Sequence, residues 1–297
     1  MVSLEEFLRR AQTRSLRLHR MIEELLGPTP ASRALIHDLH RELRRARLDA
    51  RVLHRTLPKP FRAPLWELEG ALQELTTAAG EVRDLDVLEG ALERIARGAS
   101  AAPAVAREAK ALARALHREG RASRGELRRS ARKSLRGAHG HLPGLAPGAP
   151  ATRGSPKQGG QGFPRTDRAL ARRFQRAIEE ELGEAERNLE RARRRAQRKA
   201  TVRRLHRLRV HLRRFRHLRT SLARDPKRAD VPAEWRELQR DLGLHHDLGV
   251  LERRVAASPR AGPRRGLRKV LRGELERHRS RAVRRIGSVR PRSPTPT

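Results

Sequence analysis

Apolar side chains recur at intervals of three and four through most of the chain, and no stretch alternates convincingly at period two. The pattern predicts helices only. The first runs from Ser3 to Leu26, with Leu4, Leu8, Leu18, Ile22, Leu25 and Leu26 on its stripe. Ser3 suits its N-cap, Glu5 and Glu6 sit at the positive end of the dipole, and the run GPTP stops it. A second helix is expected from Ser32 to about Thr56, where LPKP breaks it. A third follows from about Ala63 to Arg97, with Gly80 a candidate kink. A fourth runs from Pro103, suited to a first turn, to about Leu135. After a passage of Gly, Pro, Ser and Ala the periodicity restarts. It predicts helices from Asp167 to Arg194, Lys199 to Leu222, Ala233 to Ala257 and Gly262 to Ile286. The expected organisation is all-α: four helices in 1–136, a mobile linker at 137–166, four helices in 167–289, and a disordered tail at 290–297.

The polar faces are less ordinary than the apolar ones. On a helical wheel with His206 at zero, Arg209, Arg213, Arg216 and His217 fall between about 280° and 20°. Leu205, Leu208, Leu212, Phe215 and Leu222 fall between about 160° and 260°. No acid occurs from Lys199 to Leu222, although like charges one turn apart repel. Such a ladder calls for a neutralising partner outside the helix, and a polyanion is the natural candidate. The spacing recurs 169 residues earlier as His37, His40, Arg44, Arg45 and Arg47, with Arg51 on the same face. A second kind of basic seam, Arg107, Lys110, Arg114, His117, Arg121, Arg124 and Arg128, marks the fourth helix.

Composition sharpens this. The formal net charge is +36, and 63 of the 70 basic residues are arginines, whose planar fork suits phosphate oxygens. A field of that sign concentrates polyanions. Aromatic residues are only 2 %, so the rings on which single-stranded nucleic acids stack are nearly missing, and the anion need have no bases. The absence of cysteine excludes disulfides and thiolate metal sites. No apolar run resembles a signal peptide or a membrane span, which gives the expectation of a soluble cytoplasmic protein without membrane association.

A second motif repeats in the same order. GEVRDLDVLE from Gly80 aligns with GLHHDLGVLE from Gly243, so Asp84 matches Asp247, Asp86 matches Gly249, and Arg83 matches His246. Two motifs repeated in order point to an internal duplication. The acids are either surface charges or groups that orient arginines of a neighbouring helix.

The run His206-x-x-Arg209-Val210-x-x-Arg213-Arg214-x-Arg216, followed by the Gly-x-x-x-Asp helix, resembles the CHAD domain family (conserved histidine α-helical domain). The likeness spans about residues 3–287. It implies two four-helix bundles related by a pseudo-twofold axis, and a basic surface or pore that binds inorganic polyphosphate. It carries His206, Arg209, Arg213, Arg214 and Arg216 over as binding residues, with His37, Arg44, Arg45 and Arg47 in the first copy. Asp84 and Asp247 carry over as the acids of the second motif. This chain departs at His40, where the motif has Arg, and at His246 and Gly249, where it has Arg and Asp. A triphosphate-tunnel strand of alternating Glu and Lys, found in some relatives, is missing.

The resulting expectation is a polyphosphate binder with no catalytic residue, cofactor or metal, with association to polyphosphate granules as an extension. Binding should tighten as the histidines gain charge below about pH 6.5. Two other readings compete. One is a general nucleic-acid-binding basic protein, for which weak non-specific affinity is expected. The other is a metal phosphohydrolase built on His245-His246-Asp247 and His37-Asp38.

Overall fold

Ser3 and Ser32 open the first two helices as the sequence predicts. In the computed structural model Ser3 accepts a hydrogen bond from the Glu6 amide and Ser32 from the Leu35 amide, each satisfying one donor that an α-helix start leaves open. The structure describes residues 1–98, 103–138, 168–223, 232–257 and 265–287. These form α1 (Leu4–Leu26), α2 (Arg33–Thr56), a 3₁₀ turn (Lys59–Phe61), α3 (Arg62–Arg97), α4 (Pro103–Ala138), α5 (Arg168–Arg198), α6 (Val202–Leu222), α7 (Ala233–Ala256) and α8 (Arg265–Ile286), with no strand among the described residues. None of these helices is long and apolar enough to cross a membrane. The linker expected at 137–166 lies outside the described residues except for its first two, which prolong α4; the tail at 290–297 and the cap expected at Asp167 also lie outside.

Two compact units share these helices. Of the described residues, the first takes 1–83, 121–138, 168–181 and 221–223, and the second takes the rest. So α3, α4 and α5 each give one part to each unit. This is a division by packing, whereas the repeat described above is a division by order along the chain.

In the first unit, Leu18, Ile22 and Leu25 of α1 meet Ile36, Leu39 and Leu43 of α2, Leu68, Leu72 and Leu75 of α3, and Leu127 and Ala131 of α4. Leucines spaced by three and four supply a continuous apolar stripe for each helix. The α2 face also buries Glu42 and Asp49. Arg14 of α1 reaches both, and Arg45 donates to Glu42 at 2.8 Å. Burial nonetheless raises the Asp49 carboxyl to about 6 against the pull of Arg14. Arg128 of α4 donates to the carbonyl oxygens of Leu26 and Gly27 at 2.9 and 2.5 Å, placing a cation on the negative end of α1. The last basic residue of the α4 seam is thus a helix cap.

In the second unit, Leu85, Leu88 and Leu92 of α3 pack with Val105, Leu112 and Leu116 of α4, Leu251 and Val255 of α7, and Leu267 and Leu271 of α8. Gly266 permits this approach: a Cβ there would come within 2.9 Å of Val105 Cγ2. α6 is seated by Leu205, Leu208, Leu212, Phe215 and Leu218, all nearly inaccessible, with the Phe215 ring 5.4 Å from that of Trp235 in α7. α7 and α8 are further tied by buried Asp241, which faces His278 and Arg285.

Candidate polyanion-binding faces

Seating α6 on its leucine stripe turns the opposite edge away from that stripe, as the wheel predicts: His206 is exposed, and Arg209, Arg213 and Arg216 are half-buried. Neighbouring helices neutralise part of it. Asp247 Oδ1 of α7 stands 4.0 Å from Arg209 Nη2, so this motif acid does face an arginine of the adjacent helix. Glu184 of α5 lies 3.6 Å from Arg214. Arg216 donates through Nη1 to Gln239 Oε1 of α7. The partner expected outside the helix is thus supplied in part by its second-unit neighbours, which contribute two carboxylates and an amide.

Arg216 remains under-served at one nitrogen. Arg216 Nε is buried with no hydrogen-bond acceptor among the described residues. Burial and the nearby Arg236 lower its pKa, because both disfavour the charged form. The same condition holds at Arg47 of α2, the residue that matches Arg216 in the repeat. Its Nε is also buried without an acceptor, and burial with Arg51 lowers its pKa against the pull of Glu69.

The remaining α2 residues have mixed surroundings. His37 is exposed, and Arg44 is half-buried. Arg45 is paired with buried Glu42, and Arg51 donates to Glu69 at 3.0 Å. His40 is half-buried over Gly80; a Cβ on that glycine would sit 3.5 Å from His40 Nε2, an ordinary contact. α3 runs on through Gly80, so the glycine does not end the helix.

On α4, Arg107, Lys110, Arg114, His117 and Arg121 are exposed. The seam is not purely basic, since His117 Nδ1 lies 3.2 Å from Glu89, and Glu89 and Glu93 share a hollow of about 400 Å³ with Lys110 and Arg114. Asp84 is exposed and Asp86 half-buried. His217 is half-buried.

Sequence reasoning placed His246 only in the competing metal reading and left it out of the basic ladders. Its Nδ1 lies 3.1 Å from His206 Nδ1, with ring centroids 4.7 Å apart, so it belongs to the ladder's edge. A hydrogen bond between two Nδ1 atoms needs one protonated and one bare nitrogen. Burial, then Arg209, His206 and Arg253, pushes His246 down to about 4. Burial, then Arg209, Arg213 and Arg253, lowers His206 as well. The pair is therefore neutral near pH 7, and its own protonation in the free protein begins lower than the expected pH 6.5. The signal available in sequence was the repeat alignment, which puts His246 opposite basic Arg83.

Successive residues on a helix point about 100° apart, and residues 245–247 diverge accordingly. His245 is buried with an unpartnered Nε2, His246 meets His206, and Asp247 faces Arg209. Among the described residues no three His, Asp or Glu side chains gather in a way that would hold a metal ion.

A search among curated proteins finds no match. The CHAD domain family matches residues 18–256, a span that contains both ladders and both copies of the acidic motif. This chain therefore belongs to the CHAD domain family.

Proposed function

We propose that the protein binds inorganic polyphosphate without catalysing a reaction on it, through the arginine and histidine faces of α2 and α6. CHAD domains are associated with polyphosphate binding in general. The observation that carries the assignment of this ladder is the matched pair Arg47 and Arg216. Each is a partly buried guanidinium with an Nε lacking an acceptor, at the same step of two repeated ladders. An anion that supplies oxygens there relieves both the desolvation and the missing hydrogen bond. Residues on one helix face recur about every 5.4 Å, and a flexible phosphate chain can follow that rise. In this reading the repeat is structural as well as sequential: 1–136 and 167–289 each hold a four-helix copy, related by a pseudo-twofold axis. Attachment to polyphosphate granules in the cytoplasm follows as the biological use.

The test is competition at about 150 mM salt, where exposed charges are screened beyond ~8 Å. Labelled long polyphosphate is displaced by duplex DNA, RNA or heparin at matched charge. Polyphosphate is expected to resist displacement, and Arg209→Ala/Arg213→Ala/Arg216→Ala to abolish that preference. The variant should also lower the slope of log affinity against log salt by about 2, since three phosphate contacts are lost. Equal competition by all polyanions, with little effect of the variant, would mean a general polycation and refute the assignment.

A further inference from the structure

A second basic concavity lies on the other polar edge of α6. A cleft of about 550 Å³ opens between α5 and α6, lined by Arg191, Arg195, Arg203, Arg204, Arg207 and His211. On the wheel that places His206 at zero, the α6 members fall between about 60° and 160°, away from the ladder at about 280° to 20°. Among the described residues no carboxylate lines the cleft. Two of its arginines are occupied. Arg191 donates to Asn188 Oδ1 at 2.8 Å, and Arg204 ties the α5–α6 corner by donating to the carbonyl oxygens of Arg195 and Lys199 at 3.2 and 3.4 Å. The side chains of Arg195, Arg203 and Arg207 make no hydrogen bond or ion pair with the described residues. His211, half-buried at the cleft, has a lowered pKa from burial first and then from Arg214, Arg191 and Arg207, which reports how positive the space is.

We propose that this cleft is a separate site for a compact oligophosphate of the pyrophosphate and tripolyphosphate class. Its volume falls within the range of about 300–1,000 Å³ seen for small-ligand sites, whereas the ladder is an extended face. Three uncommitted guanidinium groups around one concavity match a small ion with several phosphate oxygens, each able to accept a forked pair of hydrogen bonds. Among the described residues no Phe, Tyr or Trp lines the cleft, so it lacks the usual ring platform for a nucleobase, and its guanidinium groups favour the phosphate part. The same chemistry is offered by a free oligophosphate and by the end of a polyphosphate chain. The inference does not depend on the ladder's function.

Isothermal titration of the full chain with tripolyphosphate at about 150 mM salt tests it, with sulfate at equal ionic strength as the comparison. The wild-type protein is expected to bind tripolyphosphate saturably and more tightly than sulfate. Arg195→Ala/Arg203→Ala/Arg207→Ala is expected to weaken this at least tenfold, since each charge-assisted contact is worth about 1.5–3 kcal/mol, or about tenfold or more. The charge-matched control Arg9→Ala/Arg129→Ala/Arg277→Ala, at exposed arginines paired one turn away on their own helices, should change tripolyphosphate affinity by no more than about twofold. Circular dichroism checks the fold, and single Arg207→Glu provides a milder variant should the triple one unfold. Displacement of bound tripolyphosphate by long chains, lost when their terminal phosphates are capped, assigns the cleft to chain ends. Absence of displacement assigns it to free oligophosphate, and either result upholds the site. Unchanged tripolyphosphate affinity in both cleft variants, or binding no tighter than sulfate, overturns it.

Discussion

The His206–His246 contact gives a proton-linked prediction. His246 is held at about 4 instead of the ordinary 6.5, by burial and by Arg209, His206 and Arg253. Bound polyphosphate offsets the three cationic contributions, so the imidazole recovers part or all of its basicity. If it recovers the ordinary 6.5 of an unperturbed imidazole, linkage makes binding about tenfold tighter at pH 5.5 than at pH 7.5. The groups facing the pair are Arg209 and Arg213 from α6 and His245 and Arg253 from α7, with Asp247 beside Arg209. Two imidazoles whose Nδ1 atoms share one hydrogen bond hold one extra proton readily and a second only at the cost of two cations in contact. Calorimetry in buffers of different ionisation enthalpy at about pH 6 should therefore show uptake of no more than about one proton assignable to the pair. His206→Gln/His246→Gln should remove that uptake and most of the pH dependence attributed to this edge. The free protein behaves oppositely. Because the folded pKa is depressed, stability from this source is present above the unfolded value of about 6.5 and lost as pH falls toward about 4. Polyphosphate should consequently raise the melting temperature more at pH 5.5 than at pH 7.5. An unchanged pH slope and proton count in the double variant would refute the reasoning.

Three substitutions probe the scaffold. Phe215→Ala removes a nearly inaccessible ring packed on Trp235 and should cost about 3–5 kcal/mol in a denaturant titration; polyphosphate affinity should fall with it, because α6 loses its seat. Arg14→Ala leaves Glu42 and Asp49 buried without the cation that reaches both, and should destabilise by about 3 kcal/mol at pH 8; the loss should shrink toward pH 5, where Asp49 takes up a proton. Arg128→Ala uncaps α1 at a cost of about 1 kcal/mol, visible as faster amide exchange at the end of α1 with polyphosphate affinity unchanged.

The helices were legible because their determinants are local. Ser3 and Ser32 cap where the sequence places them, and the leucine spacing marks the buried faces of α1, α2 and α6. The ladder's own face was equally legible, since rotation per residue is fixed. What stayed hidden depends on which helix comes alongside. Arg128 belongs to a regular basic seam by spacing, yet it caps α1, more than a hundred residues away along the chain. Glu42 and Asp49 lie within the leucine pattern of α2, and only the approach of α1 supplies Arg14 to them. His246 was left out of the ladder because nothing local says that α7 brings it to His206. The α5–α6 cleft escaped for a related reason: its arginines come from two helices, and neither periodicity alone puts them around one space.

Net charge by itself does not locate a binding site, because arginine does several different jobs in this fold. Arg128 and Arg204 satisfy carbonyl oxygens at helix ends and corners. Arg14, Arg45 and Arg51 answer carboxylates, and Arg209 and Arg214 have carboxylates within salt-bridge distance. These residues are explained by the folded chain alone, and an anion gains less from them. Arg47 and Arg216 differ: desolvation has lowered their pKa, and a buried Nε on each lacks an acceptor. Leaving a buried donor unmet costs about 1–3 kcal/mol, so each site is a place where an added oxygen is worth more than at an exposed arginine. This ranks the arginines for mutation. Arg47→Ala and Arg216→Ala should stabilise or leave unchanged the free protein, while weakening polyphosphate binding more than loss of exposed Arg253 does. A melting temperature that falls sharply in both variants, with affinity unaltered, would make them packing residues and would move the binding face elsewhere.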